Sequence, residues 1–217
     1  MNKTVLIALL GVGFLFLETG NSAVVTLAQW SDYNTATATF PRSAEIKDAS
    51  ITTATASYSG LTPINNSPRA IWQSTNTSST VDIASAPYLS WTLGLSGPTS
   101  FFAFIFGGLY ANDGTLMDLR SSKDNFATSL ALFDPNNSTF TQDAKAISAV
   151  GTVSSPTIEF RAFVYNSNAS GSNLYVTTSG AASYGVQIRG EAVPEPSAGA
   201  LLLLGAGVLA VMRRRRG

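Results

Sequence analysis

Few residue types in this chain can do chemistry. Carboxylates, hydroxyls, aromatic rings and guanidinium groups are present, but histidine and cysteine are wholly absent. Their absence excludes Ser-His-Asp and Cys-His catalysis, and also the usual zinc sites, which are built from imidazole and thiolate ligands. Two carboxylates could still hydrolyse a glycoside if held on either side of the bond. Here the acids are scattered one per turn or strand end, and spacing singles out no pair. Calcium is the metal best suited to an all-oxygen ligand set, yet Asn112-Asp113-Gly114 with Asp118 lacks the alternating acids of a calcium loop. The reading therefore carries no catalytic residue, no metal and no cofactor. Aromatic rings are the remaining resource. Trp30, Trp72 and Trp91, with Tyr33, Tyr58, Tyr88 and Tyr110, could stack on sugar rings from a sheet face or edge. Trp91 is in register with leucines and reads as core. Trp72 precedes a polar loop and is the best placed of the three to be exposed and touch a glycan, although aromatic side chains by default fill a core.

One constellation comes in fixed order at the C-terminus. Pro194-Glu195-Pro196 is followed by an uncharged apolar span, Ala198–Met212, and then by Arg213, Arg214, Arg215 and Arg216. Both prolines hold φ near −65°, and a residue before proline is kept out of the helical region, so Glu195 sits on extended backbone open to a peptidase groove or receptor. Fifteen residues of helix cover about 22 Å, short of a hydrocarbon core of about 30 Å. The span is thus a marginal permanent anchor and a better dispensable one. The arginines act as a membrane stop and hold the chain end on the cytoplasmic side.

This arrangement resembles the PEP-CTERM sorting signal of exported bacterial proteins, over residues 193–217 only. The resemblance implies recognition of Pro194, Glu195 and Pro196 by an exosortase, a membrane-embedded cysteine transpeptidase that removes the tail and transfers the body to the envelope or exterior. It also implies an association with extracellular polysaccharide. A plain C-terminal membrane anchor is the alternative.

The other end is consistent with export. Residues 1–23 read as a signal peptide, with Lys3 as a thin positive region, an apolar stretch Val5–Leu17, and small or polar residues up to Ala23, the expected cleavage point. A retained N-terminal anchor is the alternative. Between the two signals, residues 24–190 make one domain's worth of chain, followed by a linker within 191–217. The body holds eight Lys and Arg against ten Asp and Glu. With so few cations it has no basic stripe to track phosphates, so a nucleic-acid partner is excluded. Without cysteine, its stability must come from packing.

The elements that position these groups follow a period of two. Leu89, Trp91, Leu93 and Leu95 alternate with Ser90, Thr92, Gly94 and Ser96, and Ile158, Phe160, Ala162 and Val164 alternate with Glu159, Arg161 and Phe163. Tyr184, Val186 and Ile188 repeat the pattern, and Phe101–Phe106 is apolar on both faces, as a central strand would be. Further strands are expected at Val24–Trp30, Ile51–Tyr58, Ala70–Gln73, Val81–Ala84, Ser129–Phe133 and Leu174–Thr178. Asn112-Asp113-Gly114 predicts a hairpin. Turns are expected at Asn65–Pro68 and Asp134–Asn137, and exposed loops at Ser74–Thr80 and Asn166–Asn173. Only Asp143–Ala149 hints at a helix. The fold class is all-β, an antiparallel β-sandwich or jelly-roll-like body with an N-terminal signal peptide and a C-terminal hydrophobic helix. Functionally, the chain reads as an exported cell-surface or matrix protein with a structural or adhesive role and no catalysis. Its expected partners are an exosortase, the membrane before processing, and extracellular polysaccharide. A carbohydrate-binding module and a carboxylate-based glycan hydrolase are the two alternatives.

Overall fold

Alternation of apolar and polar residues puts one face of each strand out of water, and two sheets meeting on those faces bury both at once. The structure, a computed structural model, describes residues 23–31, 40–66, 69–111, 114–135, 141–177 and 184–193, of which Ala23–Val193 forms one compact unit. The sorting tail and residues 1–22 of the expected signal peptide lie outside them. The strands are β1 (Val25–Trp30), β2 (Arg42–Ser43), β3 (Ile46–Lys47), β4 (Ile51–Ser59), β5 (Thr62–Asn66), β6 (Arg69–Ser74), β7 (Tyr88–Leu95), β8 (Thr99–Ala111), β9 (Leu116–Ser121), β10 (Ala131–Phe133), β11 (Thr141–Ala146), β12 (Thr152–Val153), β13 (Thr157–Tyr165), β14 (Ser172–Thr177) and β15 (Val186–Ala192).

The smaller sheet runs β10-β9-β13-β7-β4-β2, and the larger is organised on the 13-residue β8. Leu109 of β8 pairs with Val176 of β14 and with Thr141 of β11, while Phe106 pairs with Val186 of β15 and Asp143 of β11. Two antiparallel partners of one residue must lie on opposite edges. Hence β14 and β15 lie end to end along one edge of β8, and β11 with β12 takes the other. Beyond β15 come β1 and β3; beyond β14 come β6 and β5. All these pairings are antiparallel.

The core is aromatic. Leu89, Trp91, Leu93 and Leu95 of β7 face inward with Ile158, Phe160, Ala162 and Val164 of β13. Trp91 packs edge-on against Phe104 at 4.9 Å, Phe133 meets Phe106 at 4.9 Å, and Phe160 meets Phe101 at 5.3 Å. These contacts join the two sheets in the edge-to-face geometry that ring quadrupoles prefer. Outward from β8, Ile105 packs against Tyr184, with Ala103 beside it. The backbone of Tyr184 passes so close to β8 that a Cβ on Gly107 would lie 1.7 Å from its carbonyl oxygen.

Four expectations are corrected. Asp143–Ala146 is strand, part of β11, and only Ser148–Val150 forms a single 3-10 turn. Open hydrogen-bonding groups on the free edge of β8 outweigh the weak helical preference of that segment. Val81–Ala84 is no strand, because Asp82 accepts from the Ala84 N–H at 3.1 Å and the Ser85 hydroxyl at 2.7 Å, closing a local turn instead. At Asn112-Asp113-Gly114, of which residues 112–113 lie outside the described residues, no hairpin is made, because β8 and β9 on either side belong to different sheets. Asn65 and Asn66, expected in a turn, are paired residues of β5, opposite Ala70 and Arg69; residues 67–68 lie outside the described residues. Among the described residues no helix is long and apolar enough to cross a membrane; the expected C-terminal helix over 198–212 lies outside them.

Candidate functional site

The body ends on a strand held between two neighbours. Ala192 pairs with Thr99, and the Val193 N–H donates to the Pro98 carbonyl at 2.8 Å. Pairing therefore continues through the residue before Pro194. Pro194, Glu195 and Pro196, and Arg213 to Arg216, lie outside the described residues.

Most acids in the body have structural tasks. Asp118 is buried at 3% exposure, accepts from Arg120 Nε at 2.8 Å and from Ser129 Oγ at 2.5 Å, and so pins β9 to the segment before β10. Glu159 takes Arg161 in a two-pronged pair at 2.8 and 3.1 Å. The Arg161 guanidinium lies between the Tyr88 and Phe126 rings, 4.4 and 4.1 Å from their centroids, and covers both. Asp48 and Asp82 cap turns through Ser50 and Ser85, which hold both carboxyls below the usual carboxylate value.

One concavity stands out, a cleft of about 530 Å³ where the edge of the smaller sheet at β10 faces β11 of the larger. Phe133, Asp134, Gln142, Asp143, Lys145 and Tyr165 line it. Lys145 pairs with Asp143 at 3.1 Å and lies over the Phe133 ring at 5.6 Å, and Gln142 donates to the Tyr184 hydroxyl at 2.6 Å. Burial pushes the Tyr165 phenol up, and the Asp118 carboxylate adds to it. Asp134 and Asp143 thus share one lining, a meeting that their separate turns and strands did not announce. In chemical terms the cleft offers acids, an ammonium, an amide and a phenol around an apolar wall, enough to bind a polar ligand. A hydrolytic role would need one acid as proton donor and another facing it across the substrate, whereas Asp143 is engaged by Lys145. Among the described residues no group of three or more acids gathers to hold a metal ion.

The tryptophans are all interior. Trp30, Trp72 and Trp91 have 0% exposure, which corrects the expectation that Trp72 could touch a glycan. Its ring packs between the sheets, 5.9 Å from Phe40 and 6.3 Å from Tyr58. Register is the reason. On β6 alternate residues face opposite ways, so Trp72 points between the sheets while Ile71 and Gln73 turn to the other face, where Ile71 is still buried.

Positions turned away from the sandwich interior on the larger sheet include two adjacent rows, in which Ile71 is only 1% exposed. Tyr110, Tyr175, Ile71 and Ile64 lie side by side on β8, β14, β6 and β5; Asn173, Gln73 and Thr62 form the next row. The Tyr110 and Tyr175 rings are 5.2 Å apart, inclined at 48°, and both are half-buried. Tyr110 stood among the candidate aromatics, but Tyr175 did not. The signal for it was present: Leu174 and Val176 flank it as core positions, which turns Tyr175 outward.

The family model for the PEP-CTERM protein-sorting motif matches residues 192–216. No curated protein matches the chain. Among solved structures the chain is similar to a family 29 carbohydrate-binding module at 9% identity, covering 77% of this chain and 88% of that one with a TM-score of 0.40. A family 29 variant in complex with cellulohexaose gives 9% identity, 81% and 98% coverage and a TM-score of 0.40. Another, in complex with mannohexaose, gives 9%, 79%, 93% and 0.38. The tail is thus a PEP-CTERM sorting motif, and the chain is an exported protein with an all-β body.

Proposed function

We propose that this protein is a substrate of an exosortase, which cuts it near Pro194-Glu195-Pro196 and leaves a β-sandwich at the cell surface or in the extracellular matrix. There the body acts structurally or adhesively and carries out no catalysis. One observation carries this reading: the sorting-motif match over 192–216, in a tail whose apolar span is short for a permanent anchor. The paired end of β15 supports it, because the strand is bonded to its sheet through Val193 and the motif at Pro194 follows directly in the chain. Intact-mass measurement on protein from the native envelope tests it. The expected mass lacks Arg213–Arg216, and a mass that retains them overturns processing.

A second reading, favoured by the outward Tyr110–Tyr175 pair, makes the body a carbohydrate-binding module acting on extracellular polysaccharide. Stacking rings beside amides on a sheet face are the equipment such binding needs.

A further inference from the structure

We infer that β11 is a docking edge for a second copy of this chain. The two copies pair their β11 strands antiparallel about a two-fold axis at Ala144, which joins their larger sheets into one. The inference adds an assembly to the structural role proposed above and depends on neither tail processing nor a glycan.

The edge is open. The Ile147 N–H donates to the Phe102 carbonyl at 2.9 Å, and Lys145 and Asp143 lie opposite Phe104 and Phe106. The peptide groups of residues 143, 145 and 147 therefore turn toward β8. Strand alternation turns the N–H and C=O of Ala144 and Ala146 the other way, and among the described residues β8 is the only strand that pairs with β11. Both alanines are exposed. Such a row of unpaired groups is a template for another strand. Other edges are blunted: β2, β3, β10 and β12 have two or three residues each, and β5 carries Pro63.

Charge selects the partner and the register. Asp143 and Lys145 share one face of β11 and pair at 3.1 Å, with their side chains 24% and 37% exposed. A charge of one sign on an edge strand ordinarily keeps it from pairing. Here the two signs stand two residues apart, so an antiparallel copy supplies the complement. With Ala144 opposite Ala144 of the second copy, Asp143 faces Lys145 of that copy and Lys145 faces its Asp143. These are the closer, non-hydrogen-bonded positions, about 4.5 Å between Cα atoms, and the four groups alternate in sign around a ring. A slip of two residues one way sets Lys145 against Lys145, and the other way Asp143 against Asp143. Like charges directly opposite are destabilising. A parallel copy would also bring like charges together. On the other face only the methyls of Ala144 and Ala146 stand at the seam, so nothing bulky holds the strands apart. Two-fold pairing consumes the edge it uses, so the assembly closes at a dimer.

The test uses the full chain, purified in detergent, which has no native cysteine. Under a mild oxidant Ala144→Cys should give a covalent dimer, because the axis sets the two Cα atoms about 5.5 Å apart, within disulfide range. Ala146→Cys should not, since its two copies lie four residues apart along the seam, about 14 Å. Sedimentation of the unmodified chain over a concentration series should show a dimer, and Ala144→Pro should abolish it. That N–H makes no bond to β8, so the unfolding midpoint should hold. Asp143→Lys or Lys145→Asp alone should weaken the dimer about tenfold, and the double exchange should return it to within about threefold of the original. Should Ala144→Pro fail to fold, the cysteine pair and the charge exchange carry the test. A monomer at every concentration overturns the inference. So does a dimer indifferent to Ala144→Pro and to both charge reversals, as association through the apolar tail would be. Equal crosslinking of the two cysteine variants overturns the register and the inference with it. None of these results bears on tail processing or on carbohydrate binding.

Discussion

Asp48 illustrates how single residues hold this fold's turns. Its carboxylate accepts from Ser50 Oγ at 2.6 Å and from the Ser50 N–H at 2.9 Å, and these bonds favour the ionised form. The shift is downward, so the stabilisation is fully present above the ordinary value of 3.8 and is lost as pH falls through the lower folded value. Asp82 and Asp124 are lowered by the same kind of contact. Thermal unfolding followed from neutral to acid pH should show the midpoint dropping below that value, and Ser50→Ala should make the drop shallower. A midpoint indifferent to acid would contradict these bonds. Gly107 acts sterically. An added methyl would meet the Tyr184 carbonyl oxygen at 1.7 Å, a backbone atom with no easy retreat. Gly107→Ala should therefore destabilise by about 1–3 kcal/mol or more, the usual cost of overpacking, read as a lower denaturant midpoint; an unchanged midpoint would mean that the crossing of Tyr184 over β8 is wrong. Nothing in the local sequence marks Gly107 as different from its neighbour Gly108, because the clash comes from a segment far along the chain.

Among the elements, β15 has an unusual position: last in the body yet central in its sheet, between β1 and β8. Pairs such as Val25 with Gly190 close the sheet only when nearly the whole body is available, the kind of long-range pairing that slows folding. A chain ending at Val193 should keep the protease resistance and β-type circular dichroism of the intact body, whereas one ending at Gly185 should lose both. Survival of the shorter chain would show that β1 and β8 hold without β15. The existence of β15 was legible from its alternation, as were β7, β13 and the central β8. The end-to-end placement of β14 and β15 along one edge of β8 was not, since neither period nor composition says which edge a strand will join. Likewise β11 is drawn into a strand by a partner edge that its own residues do not reveal.

At the scale of the whole molecule, the C-terminal sorting motif and the body obey different rules. The sorting motif is contiguous in sequence: Pro194-Glu195-Pro196, an uncharged apolar span and four arginines. Glu195→Ala should leave the tail attached, seen as an intact mass that retains Arg213–Arg216; normal trimming of that variant would remove Glu195 from recognition. By itself the sequence determined this sorting motif, the all-β class, the absence of imidazole and thiol chemistry, and which faces of the clearest strands go inward, because each is a property of neighbouring residues or of a repeat of two. Only the tertiary structure decided that Trp72 is interior, that Asp134 and Asp143 share a cleft, and that Tyr175 lies beside Tyr110. Those facts depend on register between strands distant in the chain, where a shift of one residue exchanges the inner and outer faces.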